Sequence, residues 1–564
     1  MKHLFSIGFL FISCCMYAQV PILLKDIVPG TGSSTEFSDQ SAFSLDSLYF
    51  FTAAEQDPPG SQQYWVTDGS EAGTHILKSI VPNIGGGTYA SYLFSFKGIA
   101  YFVATDDVNG GESMWRTNGL TDSTYKFIED CGLVCSFRGN AIVLGNKLLF
   151  TGTDGNGEEL WTTDGTIGGT SMLKDIQPGP NSGAPKFYKA ANGWVYFAAD
   201  NNGTNQELWR TDGTEAGTQL FLDLNNSPLS SSIPIPLATV GNNLFFSAVS
   251  STSSGNSELW KTDGTAQGTK LVKGYGPNEG TNIGVYFTET AVLGDKLLFT
   301  AFDSLNGRNW WITNGEPNDA HIVKKITNSF GYYTGNRILF STDSFAIFGA
   351  NDLVHGWELW RTDGTSDGTY MIKDIYPGIP NGITQYNVVT ARYKNRMFFP
   401  GLDVAHGMEI WETDGTESGT KRLTDMAYNF SGIYADKQNF VVIGNHLYFT
   451  GATNEYGFEV WKLLIDAPVS TEDLPRRTNL NVEIYPNPNQ GIFHITGNLE
   501  RPTPLDAVLT DLQGRMLYTQ HFDQLEGSFL RRFEVAGLPT GLYMLTVQTN
   551  KGVRTLPVSI VSNL

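Results

Sequence analysis

Glu207-Leu208-Trp209-Arg210-Thr211-Asp212-Gly213-Thr214-Glu215-Ala216-Gly217-Thr218 is the stretch that decides the fold. Versions of it return along most of the chain, anchored on Trp65, Trp115, Trp161, Trp209, Trp260, Trp311, Trp360, Trp411 and Trp461. By subtraction, successive tryptophans lie about 46 to 51 residues apart, a period that signals a propeller, solenoid or array. Within one period, residues 183–224 read as four short strands. Residues 186–190 form strand a, Asn192-Gly193 a tight hairpin turn, residues 194–199 strand b, residues 207–211 strand c and residues 219–224 strand d. Four antiparallel strands per repeat is a propeller blade. Strand b returns as Leu48-Tyr49-Phe50-Phe51, Leu148-Leu149-Phe150, Leu244-Phe245-Phe246, Leu297-Leu298-Phe299, Met397-Phe398-Phe399 and Leu447-Tyr448-Phe449.

Strand alternation explains the phrase. Glu207, Trp209 and Thr211 share one face of the blade, Leu208 and Arg210 the other. Both faces of a blade press on neighbours, so Trp on one side and Leu on the other is a packing pattern. A buried tryptophan covers ~150–250 Å², at most ~4–6 kcal/mol of transfer free energy. The nine tryptophans are therefore structural. Thr-Asp-Gly is a turn, because Asp bonds its own backbone and Gly takes positive φ freely. Asn118 and Asn314 replace Asp in two repeats, and the repeat at Trp311 continues irregularly with Glu316-Pro317-Asn318.

The two ends of the array complement each other. Glu459-Val460-Trp461-Lys462 lacks the Thr-Asp-Gly turn and a following strand d, whereas Ile22-Leu23-Leu24-Lys25-Asp26-Ile27 looks like a strand d with no blade before it. Ring closure follows if the first strand completes the last blade, which hides the sheet edges. The expectation is an all-β chain with one large propeller over residues 22–465. Nine blades follow from the count; eight with one distorted repeat is the fallback, and an open array the rival.

The sequence of 564 residues has 62 Gly, 13% aromatic and 17% charged residues, net charge −20 and pI near 4.8. That acidity argues against nucleic acid or an anionic membrane as partner. Residues 1–18 read as a secretory signal peptide with a basic start, an apolar core and Met16-Tyr17-Ala18 before the cut. A membrane anchor and a lipoprotein site at Cys14 are the alternatives, and no later stretch is apolar enough to span a bilayer. Cys131 and Cys135 then remain, as a small disulfide or as two buried thiols.

In up-and-down blades the a–b and c–d turns share one rim, and the b–c turns and d–a connections the other. The d–a connections vary most: residues 28–40, 81–90, 177–186, 225–236 and 376–385. Ligand contacts concentrate on variable loops held by a rigid frame. The candidate ligand-binding residues on that rim are Asp107, Asp154, Asp200, Asp303, Asp352, His355, Asp403 and His406. The Asp/His pairs read either as turn formers before Gly356 and Gly407 or as metal ligands from adjacent blades. Asp154, Asn156 and Glu158 alternate like part of a calcium loop without its twelve-residue pattern. Calcium is the single cofactor candidate. No Gly-x-Ser-x-Gly, zincin, P-loop or Rossmann motif appears, so no catalytic residue is nominated.

Residues 466–481 form a Pro/Ser/Thr linker. After it the repeat stops, and residues 482–485, 491–496, 506–510, 515–519, 529–535, 542–548 and 554–560 read as seven strands of a small immunoglobulin-like β-sandwich. Its motifs run in order: Tyr485-Pro486-Asn487-Pro488, Gly491-Ile492-Phe493, Asp511-Leu512-Gln513-Gly514-Arg515, Leu538-Pro539-Thr540-Gly541-Leu542-Tyr543 and Gly552-Val553-Arg554. Residues 482–564 thus resemble the type A C-terminal sorting domain of the Bacteroidetes type IX secretion system, with Leu556-Pro557-Val558 where that family carries a basic run. The resemblance implies export through the periplasm, recognition by the secretion machinery, and removal of the tail by a sortase-like peptidase, with release or attachment to surface lipopolysaccharide. The repeats also resemble Glu-Leu-Trp-x-Thr-Asp-Gly-Thr proteins among such cargo, from which no activity follows. The functional expectation is a secreted or cell-surface binding or adhesion module for a glycan or protein. The alternatives are a polysaccharide hydrolase or lyase using rim carboxylates, and a structural surface-layer component.

Overall fold

A computed structural model describes residues 21–35, 42–55, 63–78, 80, 90–105, 112–128, 141–154, 157–202, 205–225, 230–251, 256–274, 290–303, 306–326, 334–385, 388–426, 440–453, 455–466, 482–510, 516–535, 538–549 and 552–561. The expected signal peptide, Cys131, Cys135 and residues 467–481 lie outside the described residues. The chain divides into two compact units, Ala18–Ile465 and a second that contains Asp466–Leu564.

The first unit is a ring of nine four-stranded antiparallel sheets. We number the blades by strand c: Gln63–Thr67, Glu112–Thr117, Gly157–Thr163, Gln206–Thr211, Ser257–Thr262, Gly307–Thr313, Trp357–Thr362, Gly407–Thr413 and Glu459–Leu464. Blade 4 runs Lys186–Ala191, Trp194–Asp200, Gln206–Thr211 and Gln219–Leu222, close to the reading from sequence. Strands b and c form the longest ladders; for example, Phe197 lies opposite Trp209 and Ala198 opposite Leu208.

The faces pack as the alternation requires. The face of blade 1 bearing Tyr64 and Val66 meets the face of blade 2 bearing Phe102 and Trp115. Leu149 and Leu160 of blade 3 meet Phe197 and Trp209 of blade 4, and Ile347 and Leu359 of blade 7 meet Phe399 and Trp411 of blade 8. Most of the repeat tryptophans are buried, while Trp161 and Trp260 are half-buried. The last interface is the same as the rest: Tyr448 and Val460 of blade 9 pack against Leu24, Tyr49, Phe51 and Trp65.

Ring closure is made by Ile22–Leu23, which pairs antiparallel with strand c of blade 9, Ile22 opposite Lys462 and Leu23 opposite Trp461. A first-to-last pairing leaves no open blade, so the nine-blade count stands and the eight-blade alternative does not. Side chains repeat the closure on the c–d rim. Lys462 Nζ donates to Gly69 O at 2.6 Å and Lys25 Nζ to Thr74 O at 3.0 Å. These are the same blade-to-blade contacts that Arg210 Nη1 makes to Gly264 O and Lys373 Nζ to Thr420 O.

The Thr-Asp-Gly element is a self-contained turn. In blade 4, Asp212 Oδ1 accepts Thr214 N at 2.9 Å and Thr214 Oγ1 at 2.7 Å. Thr211 and Thr218 join their hydroxyls at 2.8 Å, and Gly213 takes φ +86°. Hydrogen bonds from Thr214 hold the Asp212 carboxyl below its ordinary value, as neighbouring hydroxyls do for Asp68, Asp164, Asp263 and Asp363. In the irregular turn of blade 6, Asn314 Oδ1 still accepts Glu316 N at 2.9 Å, and Asp319 replaces the second threonine, bonding Thr313 Oγ1 and accepting Asn314 N at 2.8 Å.

The second unit is one five-stranded sheet, nearly closed into a barrel. The seven segments read from sequence merge into five because two pairs run on without a break, as Ile492–Thr510 and Met516–Glu534. Register shifts near Leu499, Thr503 and Leu505 bend these long strands around a core of Val482, Phe493, Ile495, Leu505, Phe533 and Leu545. A parallel bridge between Asn489 and Ile560 brings the first and last strands together.

Because Leu24 is buried in the closing interface and Leu220 is exposed on the outer strand of blade 4, a charge at each separates closure from surface. Leu24→Asp is expected to cost more than about 3 kcal/mol, and Leu220→Asp within about 0.5 kcal/mol, as read by denaturant midpoints of the full chain.

Candidate functional site

The rim of b–c turns and d–a connections is built on strand c. In blades 3, 7 and 9 the two kinds of segment touch. A Cβ on Gly157 would sit 2.2 Å from Asn181 O, one on Gly356 2.3 Å from Pro380 O, and one on Gly457 2.0 Å from Gly32 O. Gly157 and Gly356 also hold positive φ, so these positions require glycine twice over.

What fixes the connections is the glutamate that opens the repeated phrase, two residues before the tryptophan. Glu159, Glu207, Glu258, Glu358, Glu409 and Glu459 are all buried. Glu159 accepts Ile176 N at 2.7 Å and Gly183 N at 2.7 Å. Glu207 accepts Ser232 N at 2.9 Å and the Ser232 hydroxyl. Glu358 accepts Tyr376 N at 3.2 Å, and Glu409 accepts Met426 N at 2.8 Å and Thr424 Oγ1 at 2.5 Å. Glu459 accepts Val28 N at 3.2 Å and Ser34 Oγ at 2.5 Å, across the ring closure. Glu159, Glu207, Glu358, Glu409 and Glu459 thus supply acceptors to a backbone that leaves the sheet and would otherwise bury unpaired N–H groups.

The residue gripped by the carboxyl bridges two blades. Gly183, Ser232, Gly382 and Ser34 stand between strand c of one blade and strand b of the next. Their carbonyls accept Asp200 N at 2.8 Å, Val249 N at 2.7 Å, Leu402 N at 2.8 Å and Ala54 N at 2.7 Å. On the other side, Ser232 N donates to Gln206 O, Gly382 N to Trp357 O and Ser34 N to Phe458 O. The alternation placed the glutamate on the tryptophan face. Its partners were hidden because they are main-chain groups, joined in three blades by the hydroxyls of Ser34, Ser232 and Thr424, contributed by the least repetitive segments.

Burial drives these carboxyls upward in pKa, against the lowering by their hydrogen bonds: Glu207 to about 7, Glu358 to about 8 and Glu459 to about 7, from 4.5. Such values suit a general acid. Their burial behind the connections they hold keeps them from any substrate.

The rim residues singled out from sequence have separate fates. Asp352 Oδ1 accepts Val354 N at 2.9 Å and His355 N at 2.8 Å, and its Oδ2 meets His355 Nδ1 at 2.7 Å. Asp403 repeats this with Ala405 N, His406 N and His406 Nδ1, and lies 3.6 Å from Arg422 Nε. The His355 imidazole is raised in pKa by its bond to Asp352. Asp200 Oδ1 accepts Asn202 N at 2.9 Å. These acids shape their own turns. Asp107 and Asn156 lie outside the described residues, and Asp154 and Asp303 are placed as the final residues of their strands. Asp154 pairs with Gly157 and Thr153 with Glu158, so the calcium candidate lies across a hairpin. Among the described residues no group of three metal-ligating side chains converges.

Large apolar side chains stand on this rim. Leu353, Val354, Ile379 and Val404 are 47%, 59%, 78% and 69% exposed, on the b–c turns of blades 7 and 8 and the connection after blade 7. Leu353 holds a φ of +71°, uncommon for a branched side chain.

In the second unit the motif residues tie its beginning to its end. After cis peptide bonds at Tyr485–Pro486 and Asn487–Pro488, Asn487 Nδ2 donates to Pro557 O at 2.7 Å and its Oδ1 accepts Ser559 N at 2.7 Å. Gly491, at φ +87°, accepts Val535 N at 2.8 Å. Tyr543 OH donates to Pro539 O at 2.7 Å, beside Gly541. Asp511, Gly514 and Arg515 lie outside the described residues. Residues 483–560 match the secretion system C-terminal sorting domain. The chain carries a type IX secretion C-terminal sorting domain. It is exported to the cell surface or beyond by this sorting domain, and among the described residues no helix is long and apolar enough to cross a membrane.

No curated protein matches the chain. Solved structures are similar to it at low identity. A puromycin-hydrolysing peptidase of Mycobacterium tuberculosis is 12% identical over 64% of this chain and 57% of its own, with TM-score 0.37. Prolyl oligopeptidase B from Galerina marginata is 11% identical over 73% and 56%, with TM-score 0.35. The GH74 xyloglucanase from Xanthomonas campestris is 11% identical over 96% and 80%, with TM-score 0.32. The chain spans little more than half the length of the first two. Likenesses of this degree carry nothing about activity.

Two outcomes follow from the carboxyl clamps. A Cβ on Gly382 would lie 2.3 Å from Glu358 Oε1, whereas one on Gly168 meets nothing within 4 Å. Gly382→Ala is therefore expected to cost about 1–3 kcal/mol in denaturant midpoint and Gly168→Ala much less. The pH dependence has a defined sign. The glutamates have folded-state pKa values raised above 4.5, so the stability they contribute is full below that value and lost as pH rises through about 7 to 8. The lowered aspartates of the c–d turns act oppositely and below the free aspartate value. The melting temperature should therefore fall by several degrees between about pH 6 and about pH 9, and a Glu207→Gln, Glu358→Gln, Glu459→Gln triple variant should flatten that slope.

Proposed function

We propose that the exported propeller is a binding module that takes an extracellular glycan or protein on the rim of b–c turns and d–a connections. The observation that carries this reading is the set of exposed aliphatic side chains Leu353, Val354, Ile379 and Val404, next to two ordered imidazoles and standing on a frame clamped from below. Exposed apolar groups on a rigid support contribute to association at small ordering cost. The opposite rim offers less freedom, because its turns are stereotyped and tied to the next blade. Hydrolysis by the rim acids is disfavoured, since Asp200, Asp352 and Asp403 spend their oxygens on neighbouring N–H groups.

The test is a glycan array together with capture of surface proteins by the purified full chain, followed by titration of whatever binds. A Val354→Asp, Val404→Asp double variant is expected to weaken that interaction at least tenfold with an unchanged melting temperature. Binding that survives the double variant would place the ligand elsewhere, and turnover of a bound glycan would favour a hydrolase.

A further inference from the structure

The inner strands carry a charge pattern that the packing of the ring does not use. Strand a ends each sheet, and these strands are laced from blade to blade. Thr239 Oγ1 donates to Ala190 O at 2.9 Å, Thr390 Oγ1 to Leu339 O at 3.2 Å and Arg392 Nη1 to Ser341 O at 2.9 Å. The chain has a net charge of −20. Its inner strands nevertheless contain Lys186, Lys189, Arg337 and Arg392 and no aspartate or glutamate. Arg392 is occupied by the carbonyls of Ser341 and Lys394. The two lysines of blade 4 are placed differently.

A bulge brings them to one face. Lys186 lies opposite Ala198 and Lys189 opposite Tyr196, so strand a holds one residue more than strand b between these pairs. In a regular strand, side chains three apart point to opposite faces. The extra residue turns both lysines to the face of Tyr196, which packs against Leu244 and Phe246 of blade 5. It also turns Phe187 outward, at φ +62° and 40% exposed, with Lys186 Nζ 5.4 Å from the ring centroid. On the connection into blade 5, Ile233 holds φ +45° and is 52% exposed. Large side chains in the left-handed region are strained, and such strain gathers at ligand sites.

The lysines themselves have no structural return. Both are half-buried, and burial lowers the pKa of the Lys189 ammonium. Among the described residues neither lysine makes a hydrogen bond or an ion pair; Lys186 has its ring contact and Lys189 no polar partner. A cation taken from water without a counter-charge costs stability. The repeat does not require it, since the matching strand of blade 5, Ile235–Val240, is uncharged.

We propose that the inner edge between blades 4 and 5 binds an acidic sugar residue of an extracellular glycan, with Lys186 and Lys189 holding its carboxylate or sulfate and Phe187 its ring. Two ammonium groups on one face supply charge-assisted donors to such an acid. An exposed aromatic face beside them takes the apolar side of a pyranose, a pairing that an anion alone would not need. The acidity of the rest of the chain keeps a polyanion off other surfaces and so favours this one. Strand a begins on the rim of b–c turns and d–a connections, so this site rests on the choice of rim made above. It does not rest on the aliphatic side chains of blades 7 and 8.

The experiment is calorimetric titration of the full chain with polygalacturonate, dextran sulfate, neutral dextran and polyglutamate. At least one of the two acidic glycans should bind saturably, and more weakly at about 500 mM than at about 50 mM salt; which of them binds tells carboxylate from sulfate. Neutral dextran should not bind. Lys189→Met should weaken binding about tenfold or more while raising the melting temperature, because it removes an unpaired, half-buried charge. A lysine kept for packing alone would not set binding against stability in this way. Lys186→Gln gives a second reading of the same site, and Lys270→Gln, on the exposed start of an outer strand, should change nothing. The Val354→Asp, Val404→Asp variant should leave this binding intact, so failure here and failure of the blade 7 and 8 surface are separable. The proposal is overturned if neither acidic glycan binds, if polyglutamate binds as tightly as they do, or if binding survives Lys186→Gln and Lys189→Met together.

Discussion

Each blade of this ring is stable because a neighbour covers it. A four-stranded sheet with Trp, Phe and Val on one face and Leu, Tyr and Ile on the other has no solvent side, so every blade needs two partners. An open row of such blades leaves two apolar faces in water. The pairing of Leu23 with Trp461, and the packing of Leu24 against Tyr49 and Trp65, removes both at once. The lysine and arginine bridges to the next turn, such as Arg210 to Gly264 and Lys462 to Gly69, hold the outer parts of the blades in the same sense around the circle.

The same repeat solves a second problem. Chain that leaves strand d to start the next blade passes between two sheets, where its N–H groups are out of reach of water. A carboxyl on the tryptophan face of strand c answers that demand, as Glu159 does for Ile176 and Gly183 and Glu459 does for Val28 and Ser34. One short phrase therefore codes for the interface, through Trp, for the c–d turn, through Thr-Asp-Gly, and for the anchoring of the variable rim, through Glu. Variation in the connections is tolerated because the glutamates grip backbone N–H groups, which every non-proline residue provides, with the hydroxyls of Ser34, Ser232 and Thr424 added in three blades.

The tail obeys a different logic. Asn487 and Gly491 bind main-chain atoms of residues that lie far along the chain, so the motif spacing reports a folded sheet whose first and last strands meet. Its strand count was harder to read. Residues 499–505 contain Pro502 and Pro504 between two apolar runs, which reads as a loop. The ladder instead continues through shifted register, because the partner strand bends with it.

From sequence alone came the blade count, the strand order within each blade, the closing strand, read over residues 22–27 and paired over Ile22–Leu23, and the sorting tail, because these follow from period, alternation and ordered motifs. The local turn role of Asp352 and Asp403 was legible for the same reason: the partners are two and three residues away. Tertiary structure decided the rest. Glu207 and its equivalents could not be told from surface acids, since their acceptor role depends on backbone groups that pack beside them only once neighbouring blades meet. The exposure of Leu353, Val354, Ile379 and Val404 was equally hidden, because an aliphatic residue looks the same in a sequence whether the fold buries it or leaves it to water.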